Sequence, residues 1–412
     1  MRQIRGRTGG GFVAGGCSVR ALFVGAGTLL ISGLLGLAPA QAQQQTLPFV
    51  IAQAQGKGVP KRALPVPPKP TSQDENERAS VINNWTIGLA GGLLEGTFVA
   101  YAADLGRALD DGDNLRVIPM ITYGAVGNVS DLIYLKGVDF AITYADVLDH
   151  YKNVLKIPNI EKRVNYVMPM FQGELHIYVR PEINTLEDLR GKKVNFNTVG
   201  SAANYTGGIV FDRLGLQVER TYLNNAIALE EMKKGEIAAV IHVVGKPNAL
   251  FSKINPEPGF KLLPLEFSEK FEDYYVPAEL THADYPNLIP KGQSVSTISV
   301  MALLAVFNWS PNVNGDRYRR CVRFIEYLFE RFEKLRQPPY QPKWREMNIA
   351  GTIPGWTRFP AAQELIDKAH ATATSSIDTS LARTQAAKAA PLDPAEQDRL
   401  FRQFLEWSKQ RR

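Results

Sequence analysis

The chain has 412 residues, 45% of them hydrophobic, so it is long enough for two α/β domains and able to bury a core. Its formal net charge of +6 owes much to four arginines ahead of residue 43, in a stretch without acidic residues. The remainder is close to neutral, which removes any charge-based argument for a nucleic-acid-binding protein.

The first 42 residues show the order of features found in an export signal. Basic residues precede an apolar run over residues 21–37, and small residues follow that run. The run is short for a membrane span, and it is interrupted by Gly25, Gly27, Ser32 and Gly33. We therefore expect an export signal over residues 1–42 that is cleaved near Ala40 or Ala42, with a retained membrane anchor as the alternative.

Residues 43–80 are rich in proline and glutamine and show no sustained hydrophobic periodicity. This composition is typical of a disordered or extended tether, so the folded body is expected to begin near Val81. Once the signal is removed, Cys321 is the one cysteine that remains. A single cysteine cannot close an internal disulfide, and its place on an amphipathic helix predicts a core residue.

The stretch over residues 85–110 joins a short β-type run to an amphipathic helix through a glycine-bearing turn. Strands over residues 115–122 and 138–143 are likewise each followed by a turn and a helix. Strands that alternate with helices predict βαβ units with a largely parallel sheet, whose ligands bind at the carboxyl ends of the strands. The three turns lie at those ends.

A turn that leads from a strand into a helix also has an electrostatic consequence. The first N–H groups of the helix have no partner within it, and the helix dipole is positive there, so the turn suits a carboxylate or phosphate. The plainer interpretation of residues 85–110 is a packing turn at the start of an α/β domain.

The same pattern continues further along the chain. A long apolar run over residues 166–180, interrupted by Pro169 and Gly173, suits a strand that crosses between two lobes. Strands over residues 193–197 and 238–244 then lead into turns and helices, and an apolar run over residues 296–307 returns the chain to the first lobe. Two lobes with glycine turns at strand ends predict a cleft between them.

A long amphipathic helix is predicted over residues 316–335, and a second helix over residues 394–412 either docks on the body or binds a partner. The resulting organisation is, in chain order, an export signal (1–42), a tether (43–80), lobe 1 (81–170 and 296–370), lobe 2 (171–295), a linker (371–393) and a C-terminal helix (394–412).

Several stretches resemble one family in their order and spacing. They are TIGLAGGLLEGTF, the turn TYGAVGN, VDFAITYADV, LEDLRGKKVNFNTVGSAANYTGGIVFDRLGL and EEMKKGEIAAVIHVVGKPN. Together with the export signal, these stretches resemble the TAXI-type solute receptors of tripartite (TRAP) transporters, which are extracytoplasmic binding proteins. The resemblance covers roughly residues 81–310 and continues more loosely to about residue 370.

This resemblance implies an α/β, type II periplasmic-binding-protein fold, in which two α/β lobes enclose a ligand cleft and crossover strands form the hinge. It implies binding without catalysis: the lobes close on a small solute, which in relatives is often an organic acid or an acidic amino acid. The implied partner is a TRAP-type membrane permease in the envelope. No nucleic acid and no cofactor are implied.

The ligand contacts that the resemblance implies come from both lobes. In lobe 1 they are Gly91, Gly92, Glu95, Gly96, Thr97, Phe98, Thr122, Tyr123, Asn128, Tyr144 and Asp146, and in lobe 2 they are Gly200, Ser201, Ala202 and Asn204. Gly245 and Lys246 are further candidates in lobe 2. The polar residues among them have an alternative role as helix caps or turn residues.

Glu95 departs from the family pattern, because it lies in a first glycine loop that is longer than usual. A carboxylate at this place would repel an anionic ligand. We therefore expect Glu95 either to face solvent or to accept a hydrogen bond from an amine or hydroxyl of the ligand. We therefore do not expect this chain to share the glutamate specificity of the family.

The sequence offers no pattern for other chemistries. The five histidines show no metal-ligand spacing, and we find no P-loop and no serine nucleophile elbow, so neither a metal site nor an enzyme is expected. The alternative function is a ligand-binding sensor or scaffold protein of the envelope without a dedicated permease. The tether and the C-terminal helix, which lie outside the resemblance, motivate that alternative.

Overall fold

The computed structural model describes residues 72–375 and Arg399. Their strands form a single sheet. The strands are β1 (Thr86–Gly92), β2 (Arg116–Ile121), β3 (Phe140–Tyr144), β4 (Val164–Val179), β5 (Lys193–Asn195), β6 (Glu219–Thr221), β7 (Ala239–Val244), β8 (Lys261–Leu262), β9 (Tyr275–Thr281) and β10 (Ser294–Phe307).

Helices cover both halves of this sheet. They are α1 (Ser72–Asn84), α2 (Thr97–Leu109), α3 (Ala125–Tyr134), α4 (Val147–Asp149), α5 (Ile160–Arg163), α6 (Gly208–Leu214), α7 (Asn225–Lys234), α8 (Ala249–Ser252), α9 (Gly315–Glu330), α10 (Phe332–Leu335) and α11 (Pro360–Ser375). Single turns of π-helix (His150–Val154, Ala203–Gly207) and of 3₁₀-helix (Glu187–Leu189, Glu269–Phe271, Pro342–Arg345) complete the described part.

The order of the strands is the same in the two halves of the sheet. In the first half, called lobe 1, the order is β2-β1-β3 followed by the long strand β10, and in the second half, called lobe 2, it is β6-β5-β7 followed by the long strand β4. In each lobe the three short strands are parallel, and the long strand pairs with them antiparallel. The parallel βαβ pattern predicted for both lobes is therefore present.

The two long strands carry the chain from one lobe to the other. β4 and β10 are antiparallel neighbours, and each of them pairs with strands of both lobes. Pro169 and Gly173, expected as interruptions, lie inside β4. Gly173 is required there, because a Cβ at this position would lie 2.1 Å from the hydroxyl oxygen of Tyr144. The division of the lobes at residues 170 and 295 falls within these strands and stays a prediction.

The core lies between the sheet and the apolar faces of the helices. α2 buries Phe98, Tyr101 and Leu105 against the sheet, as its helical periodicity predicts. α9 buries Cys321 completely, in agreement with the prediction of a core cysteine. Burial in apolar surroundings raises the pKa of this thiol well above its usual value, so it stays protonated.

Three boundary predictions are corrected. α1 occupies residues 72–80 of the expected tether. Acidic Asp74 and Glu75 lie in its first turn, where they interact favourably with the positive end of the helix dipole. The helix expected over residues 316–335 divides at Arg331 into α9 and α10. α11 continues to Ser375, inside the expected linker.

The export signal, most of the tether and nearly all of the C-terminal helix lie outside the described residues. Within the described part of the chain, no helix combines the length and the apolar character that a membrane span requires.

Candidate functional site

A small cavity lies where the strand-end loops of the two lobes meet. Its volume is about 30 Å³, which holds roughly two or three water-sized groups. Lobe 1 contributes seven of its lining residues and lobe 2 the other seven. They are Leu93, Gly96, Thr97, Phe98, Gly124, Ala125 and Tyr144 from lobe 1, and Asn197, Ser201, Ala202, Ala203, His242, Val243 and Val244 from lobe 2.

Three helical segments begin at the cavity. α2 begins at Thr97, α3 begins at Ala125, and the π-helical turn that precedes α6 begins at Ala203. A helix N-terminus presents N–H groups that have no partner inside the helix, together with the positive end of the helix dipole. Three such ends around one small cavity create a positive potential without any cationic side chain.

The backbone N–H groups at these helix starts are available to a ligand. Those of Thr97, Phe98, Ala125, Ala202 and Ala203 make no hydrogen bond to any other described residue. The strand-turn-helix pattern of the sequence predicts such donors at the starts of α2 and α3 and in the turn after β5.

One wall of the cavity is aromatic. Phe98 and Tyr144 line it, with ring centroids 4.8 Å apart, and Phe171 lies behind Phe98 at 6.0 Å. Burial raises the pKa of the Tyr144 hydroxyl well above its usual value, so the ring is neutral. This wall suits the apolar part of a small solute.

Two polar side chains of lobe 2 contribute nitrogen atoms without a partner. Asn197 is fully buried, and while its Oδ1 accepts the N–H of Thr198 at 2.8 Å, its Nδ2 makes no hydrogen bond in the described structure. His242 is 4% exposed, and both of its ring nitrogens are unpartnered there. Burial lowers the pKa of His242 to about 4, so the imidazole is neutral at pH 7.

The lobes are in direct contact around the cavity. The N–H groups of Val126 and Gly127 donate to the carbonyl oxygen of Gly200 at 3.1 Å and 3.2 Å. Gly124 has φ +107°, and a Cβ at this position would lie 3.0 Å from the Cα of Ser201. This glycine therefore allows both the backbone turn and the close approach of lobe 2.

Asp146 links the lobes on another side. Its Oδ2 accepts hydrogen bonds from the hydroxyls of Thr206 at 2.7 Å and Tyr275 at 3.0 Å, both in lobe 2, while its Oδ1 is buried without a partner in the described structure. Burial, partly offset by these two hydrogen bonds, raises the pKa of Asp146 to about 6. Asp146 thus contacts lobe 2 rather than the cavity, of which it is not a lining residue.

Glu95 also joins the lobes. Its carboxylate accepts a hydrogen bond from the side-chain amide of Asn224, and its backbone oxygen accepts one from Nδ2 of Asn248 at 3.1 Å. This arrangement differs from both roles expected for the carboxylate, which were exposure to solvent and contact with the ligand. The longer glycine loop therefore serves contact between the lobes.

A buried ion pair lies at the crossover strands. Lys343 and Glu174 are 9% and 3% exposed, and Nζ of Lys343 lies 2.8 Å from Oε1 of Glu174. Glu174 also accepts the backbone N–H of Lys246 at 2.8 Å. One carboxylate in β4 therefore joins the C-terminal part of the chain to a loop of lobe 2 at the hinge.

The structure brings together a subset of the predicted ligand contacts. Those that line the cavity are Gly96, Thr97, Phe98, Tyr144, Ser201 and Ala202. Those that do not line it are Gly91, Gly92, Glu95, Thr122, Tyr123, Asn128, Asp146, Gly200 and Asn204.

Three of the residues away from the cavity support its loops. Thr122 accepts the N–H of Gly92 at 2.9 Å and donates its hydroxyl to Asn128. Asn128 is fully buried and donates to the carbonyl oxygen of Ile142 at 2.6 Å. These bonds join the ends of β1, β2 and β3. Thr122 and Asn128 therefore hold turns together, which was the expected alternative to a ligand contact.

The turn after β5 shows a similar division of roles. The hydroxyl of Ser201 caps the N–H of Asn204 at 3.1 Å, while Oδ1 of Asn204 accepts the N–H of Gly200 at 3.3 Å. Asn204 therefore shapes the turn. Tyr123 is 70% exposed and lies outside the cavity. Lys246, a further candidate, is 3.0 Å from Asp284 within lobe 2.

Sequence reasoning missed Asn197 and His242. Asn197 adopts φ 55°, a left-handed conformation that asparagine tolerates, and its position directly after a strand and before a glycine turn was a usable signal. His242 lies within an apolar strand, where the sequence favours a core residue over a ligand contact. Among the described residues, no group of histidine, cysteine, aspartate or glutamate could hold a metal ion.

Comparison with known proteins identifies a family. A family model described as the NMT1-like family matches residues 89–349. This family corresponds to the TAXI-type solute-binding proteins of TRAP transporters. No curated protein matches the sequence.

Solved structures give distant similarities. A mutant of ArgBP from T. maritima is 16% identical with a TM-score of 0.38, covering 63% of this chain and 94% of that chain. The alkanesulfonate-binding protein SsuA from Xanthomonas axonopodis pv. citri, bound to MOPS, is 13% identical with a TM-score of 0.36, covering 64% and 82%. An amino acid ABC transporter substrate-binding protein from Streptococcus pneumoniae, bound to L-arginine, is 12% identical with a TM-score of 0.37, covering 66% and 98%.

The predicted fold class is confirmed. The two lobes with matching strand order and two crossover strands form the type II periplasmic-binding-protein fold. The matching family corresponds to solute-binding proteins, in agreement with the prediction that the chain is not an enzyme.

Proposed function

The chain belongs to the NMT1-like family, the TAXI-type TRAP solute-binding proteins, and from this premise we propose that it is a periplasmic receptor. As a solute-binding protein of transporter type, it captures a small polar solute, an organic acid or amino acid, between its two lobes. It then delivers that solute to a TRAP-type membrane permease.

The observation that supports this proposal is the cavity between the lobes. Three helix N-termini and an aromatic wall surround it, and unpartnered backbone N–H groups come from both lobes. A ligand held in this way favours the closed arrangement, because it contacts both lobes only when they are together. Binding and closure are therefore a single equilibrium.

The periplasmic location rests on the predicted export signal. We propose that the signal is cleaved near Ala40 or Ala42 and that the mature chain is released from the membrane. The intact mass of the protein isolated from the cell envelope tests this step. A mass that includes residues 1–42 would contradict it.

A thermal-shift experiment tests the cleft. The mature protein is mixed with a panel of organic acids and amino acids, and we expect one group of chemically related members to raise the melting temperature. In the variant Ala202→Leu, which fills the cavity, the shift should disappear. The control Ala371→Leu lies on an exposed face of α11 and should keep the shift. A shift that survives in both variants, or no shift in the wild type, would contradict the proposal.

Delivery to a permease needs a separate measurement. Uptake of the bound solute into cells should require both this chain and a membrane permease, so deletion of either gene should abolish it. Binding without any effect on uptake would favour the alternative function, a ligand-binding sensor or scaffold protein of the envelope.

A further inference from the structure

A second cavity, larger than the one between the lobes, lies on lobe 2. It is a groove of about 440 Å³ between one face of α7 and the segment over residues 250–260. Ala226, Leu229 and Lys233 of α7 line it, at the spacing that places residues on one side of a helix. All of its lining residues belong to lobe 2, so a molecule bound here would be held whether the lobes are closed or apart.

Part of the groove's wall is apolar and aromatic. Tyr178 and Phe260 line it, with ring centroids 6.0 Å apart, together with Leu229 and Ile254. Leu229, Ile254 and Phe260 are half-buried, and they pack against an apolar cluster of lobe 2 that contains Tyr178. Some of the surface of this cluster is therefore in contact with water in the groove, and an apolar ring placed there would cover it.

The hydroxyl of Tyr178 supplies a hydrogen-bond donor in this groove. The residue is 3% exposed, and its hydroxyl makes no hydrogen bond to any other described residue. Burial, with a smaller contribution from the negative charge of Glu257, raises the pKa of Tyr178 to about 12, so the hydroxyl is protonated at pH 7. The hydroxyl of a buried tyrosine usually has a partner, and a ligand oxygen would supply one here.

Charged side chains of both signs line the same groove. They are Glu230, Lys233, Lys253 and Glu257, and their formal charges cancel. Nζ of Lys233 lies 2.8 Å from Oε1 of Glu230, whereas Lys253 and Glu257 form no ion pair within the described part of the chain. Lys253 therefore attracts a carboxylate, and Glu257 attracts an ammonium group. A zwitterion gains both attractions, while a simple anion or cation gains one and is repelled by the other.

We propose that this groove is a second binding site, and that it binds a zwitterionic amino acid with an aromatic side chain. The ring packs on Tyr178 and Phe260, the carboxylate pairs with Lys253, and the ammonium group pairs with Glu257. The volume of about 440 Å³ lies within the range of small-molecule sites in proteins. This site is separate from the proposed receptor function, because it shares no lining residue with the cavity between the lobes.

Analogues that each lack one charge test the ligand class. The mature full chain is titrated at pH 7.5 with L-tryptophan, with tryptamine, which lacks the carboxylate, and with 3-(indol-3-yl)propionate, which lacks the ammonium group. We expect tryptophan to bind at least five-fold more tightly than either analogue in calorimetry. No binding of tryptophan, or binding no tighter than that of the analogues, would overturn the proposal.

Variants of the two unpaired charges test their roles. Lys253→Gln removes the partner of the carboxylate, so the preference for tryptophan over tryptamine should disappear. Glu257→Gln removes the partner of the ammonium group, so the preference over 3-(indol-3-yl)propionate should disappear. The control Lys291→Gln makes the same change at an exposed lysine outside the groove and should keep both preferences. Preferences that survive in Lys253→Gln and Glu257→Gln would overturn the assignment of the charges.

A second set of variants tests the place of binding. Ala226→Phe fills the groove from an exposed position of α7 and should abolish tryptophan binding, whereas Ile227→Phe, at an exposed neighbour that does not line the groove, should keep it. Melting curves without ligand establish that both variants fold. Tryptophan is kept out of the solute panel, because its binding should persist in Ala202→Leu. Binding that is lost in Ala202→Leu and kept in Ala226→Phe would place tryptophan between the lobes and overturn the second site, without affecting the receptor function.

Discussion

Asp146 of lobe 1 and Thr206 of lobe 2 form a hydrogen bond of 2.7 Å across the junction of the lobes. The carboxylate is buried, and this environment raises its pKa to about 6. A group whose pKa is raised in the folded state is more costly to keep ionised there than in the unfolded chain. The junction of the lobes is therefore sensitive to pH.

The variant Asp146→Asn tests this property. The amide oxygen can still accept the hydroxyl of Thr206, but the ionisation cost is gone. The cost appears as pH rises from about 4 to 6 and is fully present above that range, where it amounts to about 3 kcal/mol. We expect the variant to gain stability over the wild type at pH 7.5 and much less at pH 4.5. Urea unfolding at both pH values measures the difference.

The exposed Asp113 provides a control for this experiment. The variant Asp113→Asn should differ from the wild type by the same small amount at both pH values. A stability difference for Asp146→Asn that does not change with pH would contradict the raised pKa of Asp146.

Gly124 tests the contact between the lobes. In Gly124→Ala, the new Cβ would lie 3.0 Å from the Cα of Ser201, and the residue would keep φ +107°. We expect the lobes to be held apart, with a larger radius of gyration in small-angle scattering and weaker binding of any ligand. Gly112→Ala is the matched control, because Gly112 also has a positive φ but no atom within 4 Å of the new Cβ. Equal effects of the two variants would show that backbone strain, not the contact, is responsible.

Much of the fold could be predicted from the sequence, because it depends on local patterns. The glycine turns before α2 and after β5 predict where the strands end. The helical spacing of Phe98 and Tyr101 predicts the buried face of α2. The approximate position of the cavity followed from these patterns, since ligands of parallel sheets bind at the carboxyl ends of the strands.

The individual contacts could not be predicted in the same way, because they depend on how two distant loops meet. Glu95 hydrogen-bonds to Asn224, which is 129 positions away in sequence, and no local pattern reports such a contact. His242 looks like a core residue in its strand. Asn128 is a polar residue at a helix start, and whether it binds a ligand or joins strands is decided by neighbours from β1 and β3.

The buried ion pair at the hinge is expected to be sensitive to the loss of one partner. Lys343→Met leaves the carboxylate of Glu174 buried without its cation, which should cost about 3–5 kcal/mol of unfolding free energy. The double variant Glu174→Gln, Lys343→Met should recover a large part of that loss. The exposed pair of Lys233 and Glu230 is the control, where Lys233→Met should have little effect on the free energy of unfolding because solvent screens the pair. Equal losses for the two lysines would contradict the role of burial.

The neutral, buried imidazole of His242 predicts loss of stability in acid. Its pKa is lowered to about 4 in the folded chain, whereas the unfolded chain takes up the proton near pH 6.5. Stability should therefore fall as pH decreases from 6.5 to 4, by on the order of 3 kcal/mol from this residue. His242→Gln should show a smaller fall over that range in urea unfolding curves. Parallel curves for variant and wild type would refute the assignment of a buried neutral histidine.

Native mass spectrometry of the protein from its own cell envelope tests most directly whether the lobes hold a small solute. We expect the wild type to have a larger mass under native than under denaturing conditions, by the mass of one small molecule. In Ala202→Leu, whose cavity is filled, this difference should be absent. Identical native and denatured masses for the wild type, or the same bound mass in Ala202→Leu, would contradict a ligand site between the lobes.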